Sequence, residues 1–430
     1  MVRSLLLVVT LFAAAVSCKR EPGVHGVPEA EKKSEGCRRS VGGRIEKDTL
    51  FEAGCSVAVE TTIVLEKGAT LRIAEGVRLS FGKGAHLEVF DGVLVARGTA
   101  ERPVVFTAAS ASPKAGDWGG LVFFAPTTGS VLEHTIVEYA GAMPPRDLPT
   151  YKIRVPGKLG GASGTLFPLA DLRPAVFVCA GAAPLSLVDT TLRHAPRAGL
   201  GSDEPKTFAK AERVHVEDVG GTAMDLPAEA LGKVTSLTST DPVRVREAVK
   251  TTQTWPALPG GIVVASLAVG GFESPATLTL APDSVLRVEP RASIFVGEGQ
   301  PGALVARRVR FTSAAAKPAP GDWDGLRFGP YSDGTKIEDC IVEHAGLTAL
   351  LSPMLGATPV KHPSPALVVL DVPKAFLVQR TTFRANGGPS VGSPDPARPD
   401  CAGLDAPTLG NVSIGAPLCA PVALLHRAMP

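Results

Sequence analysis

The stretch that decides the fold is residues 103–124, PVVFTAASASPKAGDWGGLVFF, followed by VLEHTIVEYAG at residues 131–141. Residues 308–329, RVRFTSAAAKPAPGDWDGLRFG, and residues 336–346, KIEDCIVEHAG, repeat both blocks at a constant offset of 205. An internal repeat of this kind indicates a repeat architecture. The repeated material consists of apolar strands and turn residues, so it predicts shape more directly than activity.

The repeat continues beyond these blocks at a second offset. The segment PAVFVCAGAAPLSLVDTTLRHA begins at Pro174, and its match PALVVLDVPKAFLVQRTTFRAN begins at Pro365, 191 residues later. The offset changes because residues 142–173 form a 32-residue insert where residues 347–364 number only 18. A solenoid tolerates such insertions, since each of its coils contacts only the neighbouring coils.

Upstream, ATLRIAEG at Ala69 matches ATLTLAPD at Ala276. The duplicated unit therefore covers about residues 69–200 and 276–388, which we call copy one and copy two. Residues 389–430 are predicted to form a C-terminal cap.

The composition favours an all-β solenoid. The chain contains 46 glycines and 38 prolines, and short strands such as ATLRIAEG, VRLSFGKG and AHLEVFDG recur about every eight residues. Apolar and polar residues alternate in these strands: Leu71, Leu79 and Leu87 are each followed two residues later by another apolar residue. One face of each strand should therefore be buried. The net charge is +2 and there is no basic stripe, which argues against a nucleic-acid partner.

The first 17 residues read as a signal peptide. A basic start precedes an apolar run at residues 5–16, which is too short to span a bilayer as a helix. The run ends in AAVSC, which resembles the lipobox of bacterial lipoproteins and implies cleavage before Cys18 and lipidation of its thiol. Ordinary secretion with plain cleavage is the alternative, because Ala15 fits the lipobox less well than leucine.

Residues 18–36 are predicted to be a lipidated cysteine followed by a disordered tether, since they are charged and poor in apolar side chains. Lys19 stands where an aspartate would signal retention in the inner membrane, so the sequence favours an outer-membrane anchor in the bacterial cell envelope. The folded region is then a single domain at residues 37–430.

Cysteine usage agrees with an oxidising compartment. Cys37 and Cys55 are 18 residues apart at the start of the folded region, and Cys401 and Cys419 are 18 residues apart at its end, so we predict one disulfide at each end. Cys179 and Cys340, which align with Leu370 and Thr135 of the other copy, are expected to be buried and reduced.

The repeated pattern resembles that of bacterial right-handed parallel β-helix surface proteins. Its elements in copy one are PVVFT, a proline-rich spacer, GDWGG and an apolar strand ending in E-(Y/H)-A-G. Copy two repeats the motif as GDWDG at residues 321–325 and the strand at residues 337–346. The resemblance implies a right-handed parallel β-helix, a fold shared with pectate lyases and polygalacturonases. Fold alone does not determine activity.

The chain lacks the motifs of those enzymes. It has no Asn-Thr-Asp run, Asp-Asp pair or Gly-His-Gly of polygalacturonases, and no aspartate-rich cluster of the kind that holds calcium in pectate lyases. The acidic candidates are Glu133 and Glu138, with His134 beside them, and in copy two Glu338, Asp339 and Glu343, with His344. Residues five apart on one strand point to opposite faces unless a bend intervenes, so we interpret these carboxylates as outward-facing and solvated around a core-facing Ile136 or Ile341.

The GDWGG motif has two interpretations. Asp117 and Asp322 are expected to bond backbone amides in a turn in which the glycines supply positive φ. Trp118 and Trp323 then either pack over a corner of the coil or stack on a sugar ring. The exchange of Gly119 for Asp324 suggests a solvent-facing position.

The insert at residues 142–173 is the candidate binding loop, because long loops on a rigid scaffold often carry function. It contains Tyr151, Lys152 and Arg154, a combination that suits an acidic polysaccharide; a solvated excursion is the other interpretation.

We expect a non-enzymatic envelope lipoprotein that binds polysaccharide or a surface protein or serves a structural role. A divergent polysaccharide lyase or glycoside hydrolase is the alternative. The sequence predicts no cofactor and no metal site, and the membrane is a partner through the N-terminal lipid.

Overall fold

A computed structural model describes residues 37–142, 174–350, 361–370, 373–392 and 401–419. These described residues belong to one compact unit. The predicted signal peptide, Cys18 and tether lie outside the described residues, as does most of the insert. Within the described ranges, no helix is long and apolar enough to cross a membrane.

The described residues fold almost entirely into short β-strands. Strands up to the end of copy one are β1 (Arg38–Ile45), β2 (Thr49–Phe51), β3 (Ser56–Leu65), β4 (Ala69–Ile73), β5 (Arg78–Phe81), β6 (His86–Val89), β7 (Gly92–Arg97), β8 (Val104–Ala108), β9 (Gly120–Phe123), β10 (Val131–Glu138), β11 (Pro174–Val178), β12 (Leu185–Arg193) and β13 (Ala198–Ser202). The junction between the copies contains β14 (Phe208–Glu212), β15 (Val214–Glu217), β16 (Thr222–Pro227), helix α1 (Ala228–Leu231), β17 (Leu237–Thr238), β18 (Val243–Arg246), β19 (Ala248–Val249), β20 (Gln253–Trp255), β21 (Ile262–Val264) and β22 (Leu267–Val269).

Copy two and the C-terminal end complete the series. Their strands are β23 (Ala276–Leu280), β24 (Val285–Val288), β25 (Ser293–Val296), β26 (Gly302–Arg307), β27 (Arg310–Ser313), β28 (Gly325–Phe328), β29 (Lys336–Glu338), β30 (Ile341–Glu343), β31 (Thr348–Leu350), β32 (Lys361–Pro363), β33 (Leu367–Val369), β34 (Leu377–Gln379), β35 (Thr382–Arg384), β36 (Val391–Gly392) and β37 (Val412–Ile414). Two 3₁₀ turns lie at Cys401–Gly403 and Pro407–Leu409. All ladders among these strands are parallel except β31–β32, which confirms a parallel β-helix.

Three sheets form the first half of the described chain, from β1 to β18. The first contains β2, β4, β7, the first halves of β10 and β12, and β14. The second contains the first halves of β1 and β3, then β5, β8, the second halves of β10 and β12, β15 and β17. The third contains the second halves of β1 and β3, then β6, β9, β11, β13, β16 and β18.

The third sheet alone passes through the junction as a ladder of named strands, and we call it the continuous sheet. From β18 it proceeds to β21, β24, β27, β30, β35 and β37. Two new sheets begin at β19 and β20 and complete copy two. Since β24 is the repeat equivalent of β5, which lies in the second sheet, equivalent strands of the two copies lie on different sheets.

Alternation within the strands places the core inside the coil, as predicted. Leu71, Leu79 and Leu87 come from the three sheets of a single coil, and all three are fully buried. Burial of a leucine side chain contributes roughly 1.5–3 kcal/mol, and stacking repeats this contribution coil after coil. Within each strand, the residues that alternate with these buried leucines point outward.

Where the chain turns from the first sheet to the second, one residue at the corner often adopts a positive φ. The equivalent corners of copy two contain such residues as well. Such residues are His134, Asp189 and Arg213 in the first part of the chain and Asp283, Arg308, Asp339 and Arg380 in copy two. Their exposed charges pair between coils, with Asp189 Oδ1 2.6 Å from Arg213 Nε and Asp339 Oδ1 2.6 Å from Arg380 Nε. Exposed pairs of this kind add little stability each.

The residue after each corner points inward, and several of these side chains donate a hydrogen bond to a backbone carbonyl near the corner. Thr135 Oγ1 lies 3.1 Å from the carbonyl oxygen of Glu133, and Thr190 Oγ1 lies 2.9 Å from that of Leu132. Cys340 Sγ lies 3.1 Å from the carbonyl oxygen of Glu338. Cys340 is therefore the structural counterpart of Thr135, and it is buried and free, as predicted. Burial raises the pKa of its thiol to about 11.

A disulfide closes each end of the described domain. Cys37 is bonded to Cys55 and Cys401 to Cys419, which confirms both predicted pairs. Each links residues 18 apart in sequence and is expected to contribute about 3 kcal/mol by restricting the unfolded chain.

We predict that Cys340→Thr leaves the free energy of unfolding unchanged or raises it, because threonine already fills this corner position in other coils. Cys340→Val should lower it by about 1 kcal/mol, since the carbonyl of Glu338 keeps only the amide of Arg308 as a donor and the amide of Val309 loses the Cys340 sulfur as an acceptor. Denaturant unfolding of both variants is the measurement. Equal stability of the valine and threonine variants would contradict the donor role.

Candidate functional site

Two glutamates occupy equivalent outward-facing positions, Glu138 in β10 and Glu343 in β30. The preceding residues, Val137 and Val342, point into the core. Although both glutamates face away from the core, their side chains are only 7% and 3% exposed. The expectation that they are solvated is therefore wrong, because side chains of adjacent coils cover them.

In copy one, Glu138 lies between a threonine below and an arginine above. Thr107 Oγ1 donates to Glu138 Oε1 at 2.8 Å, and Arg193 Nε and Nη2 donate to Oε2 at 2.9 and 2.7 Å. One coil further, Arg193 Nη1 lies 3.5 Å from Glu217 Oε1. Arg78 Nη2 approaches Glu138 Oε1 from the other side at 3.8 Å. We call this row of side chains, namely Arg78, Thr107, Glu138, Arg193 and Glu217, the first ladder.

In copy two, Glu343 joins two arginines from the coils on either side. Arg310 Nε donates to Oε1 at 2.7 Å and Arg384 Nε donates to Oε2 at 2.8 Å. Thr312, the counterpart of Thr107, places its Oγ1 3.1 Å from His344 Nδ1. We call Arg310, Thr312, Glu343 and Arg384 the second ladder.

Burial disfavours ionisation of Glu343, but the hydrogen bonds from Arg384 and Arg310 outweigh it, and its pKa lies below the ordinary glutamate value. A general acid for glycoside hydrolysis needs a raised pKa and access to substrate. Glu343 has neither, so its geometry favours a structural carboxylate that holds two arginines in place.

Each tryptophan of the GDWGG motif fixes the strand that carries the glutamate. Trp118 Nε1 donates to the carbonyl oxygen of Glu138 at 2.8 Å, and Trp323 Nε1 to that of Glu343 at 3.0 Å. Both indoles are completely buried. The ring of Trp118 stacks on Phe81 with centroids 4.1 Å apart. Their assignment as candidate ligand-binding residues is therefore wrong, since neither ring can reach a sugar.

The aspartates of the motif close a turn, as predicted. Asp117 Oδ2 accepts the amide of Lys114 at 2.9 Å, and Asp322 Oδ2 accepts that of Ala319 at 2.9 Å. Glycines at both ends of the motif adopt positive φ, for example 85° at Gly116. This is the Asx-type chemistry expected for the motif.

The exchange of Gly119 for Asp324 does not mark a solvent-facing site. Gly119 is buried, and a Cβ added there would lie 2.6 Å from the Cβ of His86. In copy two Ser293 occupies the position of His86, and its Oγ lies 2.9 Å from Asp324 Oδ2. Arg327 Nε donates to the same aspartate at 2.9 Å. The two exchanges therefore compensate each other.

The remaining acidic candidates are not brought together with Glu138 and Glu343. Glu133 faces outward on the first sheet, whereas Glu138 faces outward on the second, because the left-handed corner at His134 resets the alternation between them. Ile136 is likewise outward and only partly buried, which corrects the expectation that it faces the core.

The same correction holds in copy two. Ile341 is partly buried on the outside of its strand, and Glu338 and Asp339 lie at the corner before it. Arg380 contacts both carboxylates, with Nη2 3.7 Å from Glu338 Oε1 and Nε 2.6 Å from Asp339 Oδ1. These acids are occupied by ion pairs.

Sequence reasoning missed a buried aspartate at the junction. Asp225 is 1% exposed on β16 and contacts Arg246 and Arg244, with Arg244 Nη1 3.0 Å from Asp225 Oδ2. Burial raises the pKa of Asp225, although both arginines oppose the shift. Arg246 also donates to Asp203 at 2.6 Å. The alternating VRVR of β18 was a usable signal, because strand periodicity places both arginines on one outer face.

Several predicted site residues lie outside the described residues, namely Cys18, Tyr151, Lys152 and Arg154.

Cys179 is free but only partly buried, and its aligned partner Leu370 is exposed, so this is not a core position. Among the described residues, the one group with metal-ligand spacing is Cys37, Glu52 and Cys55, and its two sulfur atoms form a disulfide.

Comparison with known proteins agrees with the fold. Residues 43–134 match the family model of the pectate-lyase-like β-helix domain. No curated protein and no solved structure gave a significant match.

We predict that Trp118→Phe lowers the free energy of unfolding by about 1–3 kcal/mol more than Trp255→Phe. Both indoles are fully buried, so the loss of volume is matched. Trp255 Nε1 has no hydrogen-bond partner in the described part of the chain, whereas Trp118 Nε1 holds the strand of Glu138. Denaturant unfolding measures both variants, and equal losses would contradict a stabilising bond.

We also predict a pH-dependent cost for Glu343→Gln. The depressed pKa of Glu343 contributes stability above the ordinary glutamate pKa of about 4.3, and this contribution disappears as the pH falls through the lower, folded-state pKa. The variant should be about 1–3 kcal/mol less stable than wild type at pH 7, and the difference should shrink below about pH 4. The exposed Glu298→Gln is the control, and a pH-independent difference would contradict the prediction.

Proposed function

We propose that this chain is a non-enzymatic binding protein of the bacterial cell envelope that presents the outer faces of its coils to polysaccharide. The N-terminal sequence supports an attachment through lipidated Cys18. The observation that carries the proposal is the burial of Glu138 and Glu343. These are the repeated carboxylates most similar to a catalytic set, and each is covered by ion pairs to its neighbours.

The rows of outward side chains support binding. Residues on adjacent coils lie in register, so one face aligns a row of outward side chains along which a linear polymer can lie. A rigid scaffold of this kind binds with little loss of its own conformational entropy. A surface protein of the envelope is the other partner that such a face fits.

A divergent carbohydrate-active enzyme is the competing proposal. Its strongest support is Asp225, a carboxylate with a raised pKa close to Asp203. Asp225 is, however, 1% exposed and contacts two arginines, so it lacks the access that a general acid needs.

The mature protein is expected to bind at least one member of a panel of envelope and matrix glycans on a glycan array. It is expected to release no reducing or unsaturated sugars from the same glycans during prolonged incubation. Binding without products supports the proposal, release of products favours the enzyme, and failure to bind any glycan argues against a polysaccharide partner.

A further inference from the structure

The two ladders differ in charge although they share one design. In the first ladder, Arg78 and Arg193 are balanced by Glu138 and Glu217. In the second ladder, Arg310 and Arg384 share Glu343. The strand register pairs Arg193 of the first ladder with Glu217, but it pairs Arg384 of the second ladder with the apolar Ile414. The second ladder therefore retains one uncompensated positive charge.

The two arginines of the second ladder keep unused donors. Arg310 contacts Glu343 through Nε and Nη2, and Arg384 donates to it through Nε. Nη1 of Arg310 and both Nη atoms of Arg384 have no acceptor within the described ranges. The side chains are 48% and 45% exposed, so these donors are accessible.

The surroundings favour an external acceptor. Ile414 and Val412 of β37 are 56% and 51% exposed and border Arg384 and Thr382 in register. Neither side chain offers an oxygen to the guanidinium groups. Because Glu343 already fixes both arginines, an anion that binds them loses little side-chain entropy.

We propose that Arg310 and Arg384 form an anion-binding site for the carboxylate or sulfate groups of an acidic polysaccharide. This inference rests on the proposed glycan-binding function and names its ligand class. Guanidinium groups bind planar and tetrahedral oxyanions through paired N–H donors, which neutral sugars cannot accept as strongly. The first ladder carries no net positive charge, because Glu217 adds a second carboxylate within reach of Arg193.

The sharpest test introduces the missing carboxylate without removing an arginine. Ile414→Glu in the full chain reproduces the arrangement at Glu217 and should weaken binding to dextran sulfate and polygalacturonate about tenfold or more. Ile414→Gln controls for loss of the apolar side chain. Leu50→Glu, at a distant exposed position, controls for the change in net charge. Both controls should bind within about twofold of wild type if the site is local.

Calorimetric titration of each variant, with neutral dextran as the reference polymer, separates the outcomes. A loss confined to Ile414→Glu, with an unchanged melting temperature, supports the site. Equal affinities for all four proteins, or a preference of wild type for neutral glycans, overturn the anion site while leaving glycan binding in place. Binding of dextran sulfate but of no envelope glycan would instead support the site and overturn the proposed function.

Discussion

The structure depends on in-register stacking of parallel strands at a spacing of about 4.8 Å. Stacking places each outward side chain directly over its counterpart in the coil below, so the environment of a residue is set by the coils on both sides. A glutamate such as Glu138 is buried on an outer face only because Thr107 and Arg193 adjoin it in the ladder. The core obeys the same rule, with apolar rows in place of polar ones.

This constraint explains how two copies of one sequence acquired different surfaces. The indole bond to the glutamate strand is retained in both copies, so the local frame is the same. The ends of the two rows differ, with Glu217 in one and Ile414 in the other. Both end residues lie outside the duplicated units, in the junction and in the C-terminal cap, so the charge of each row depends on the segment that follows the copy, while the buried carboxylate stays in place.

Much of the fold was predictable, because repeated motifs and alternating apolar residues depend on local sequence. Alignment of the copies also predicted that Cys340 takes the position of Thr135. The burial of Glu138 was not predictable, since its partner Arg193 is 55 residues away and reaches it across a long insert. The placement of equivalent strands of the two copies on different sheets was not predictable either, because it arises in the junction, which shares no repeat with either copy.

The continuous sheet has a mechanical consequence. At the junction the first sheet ends in an isolated bridge between Ala211 and Val234, and among the ladders of named strands only β16–β18–β21 joins the two halves. Nearest-neighbour coupling between repeats determines how cooperatively a solenoid unfolds. Because fewer strand ladders cross the junction than join the coils within each half, we expect the two halves to be coupled more weakly to each other than their own coils are, so that one half can unfold while the other remains folded.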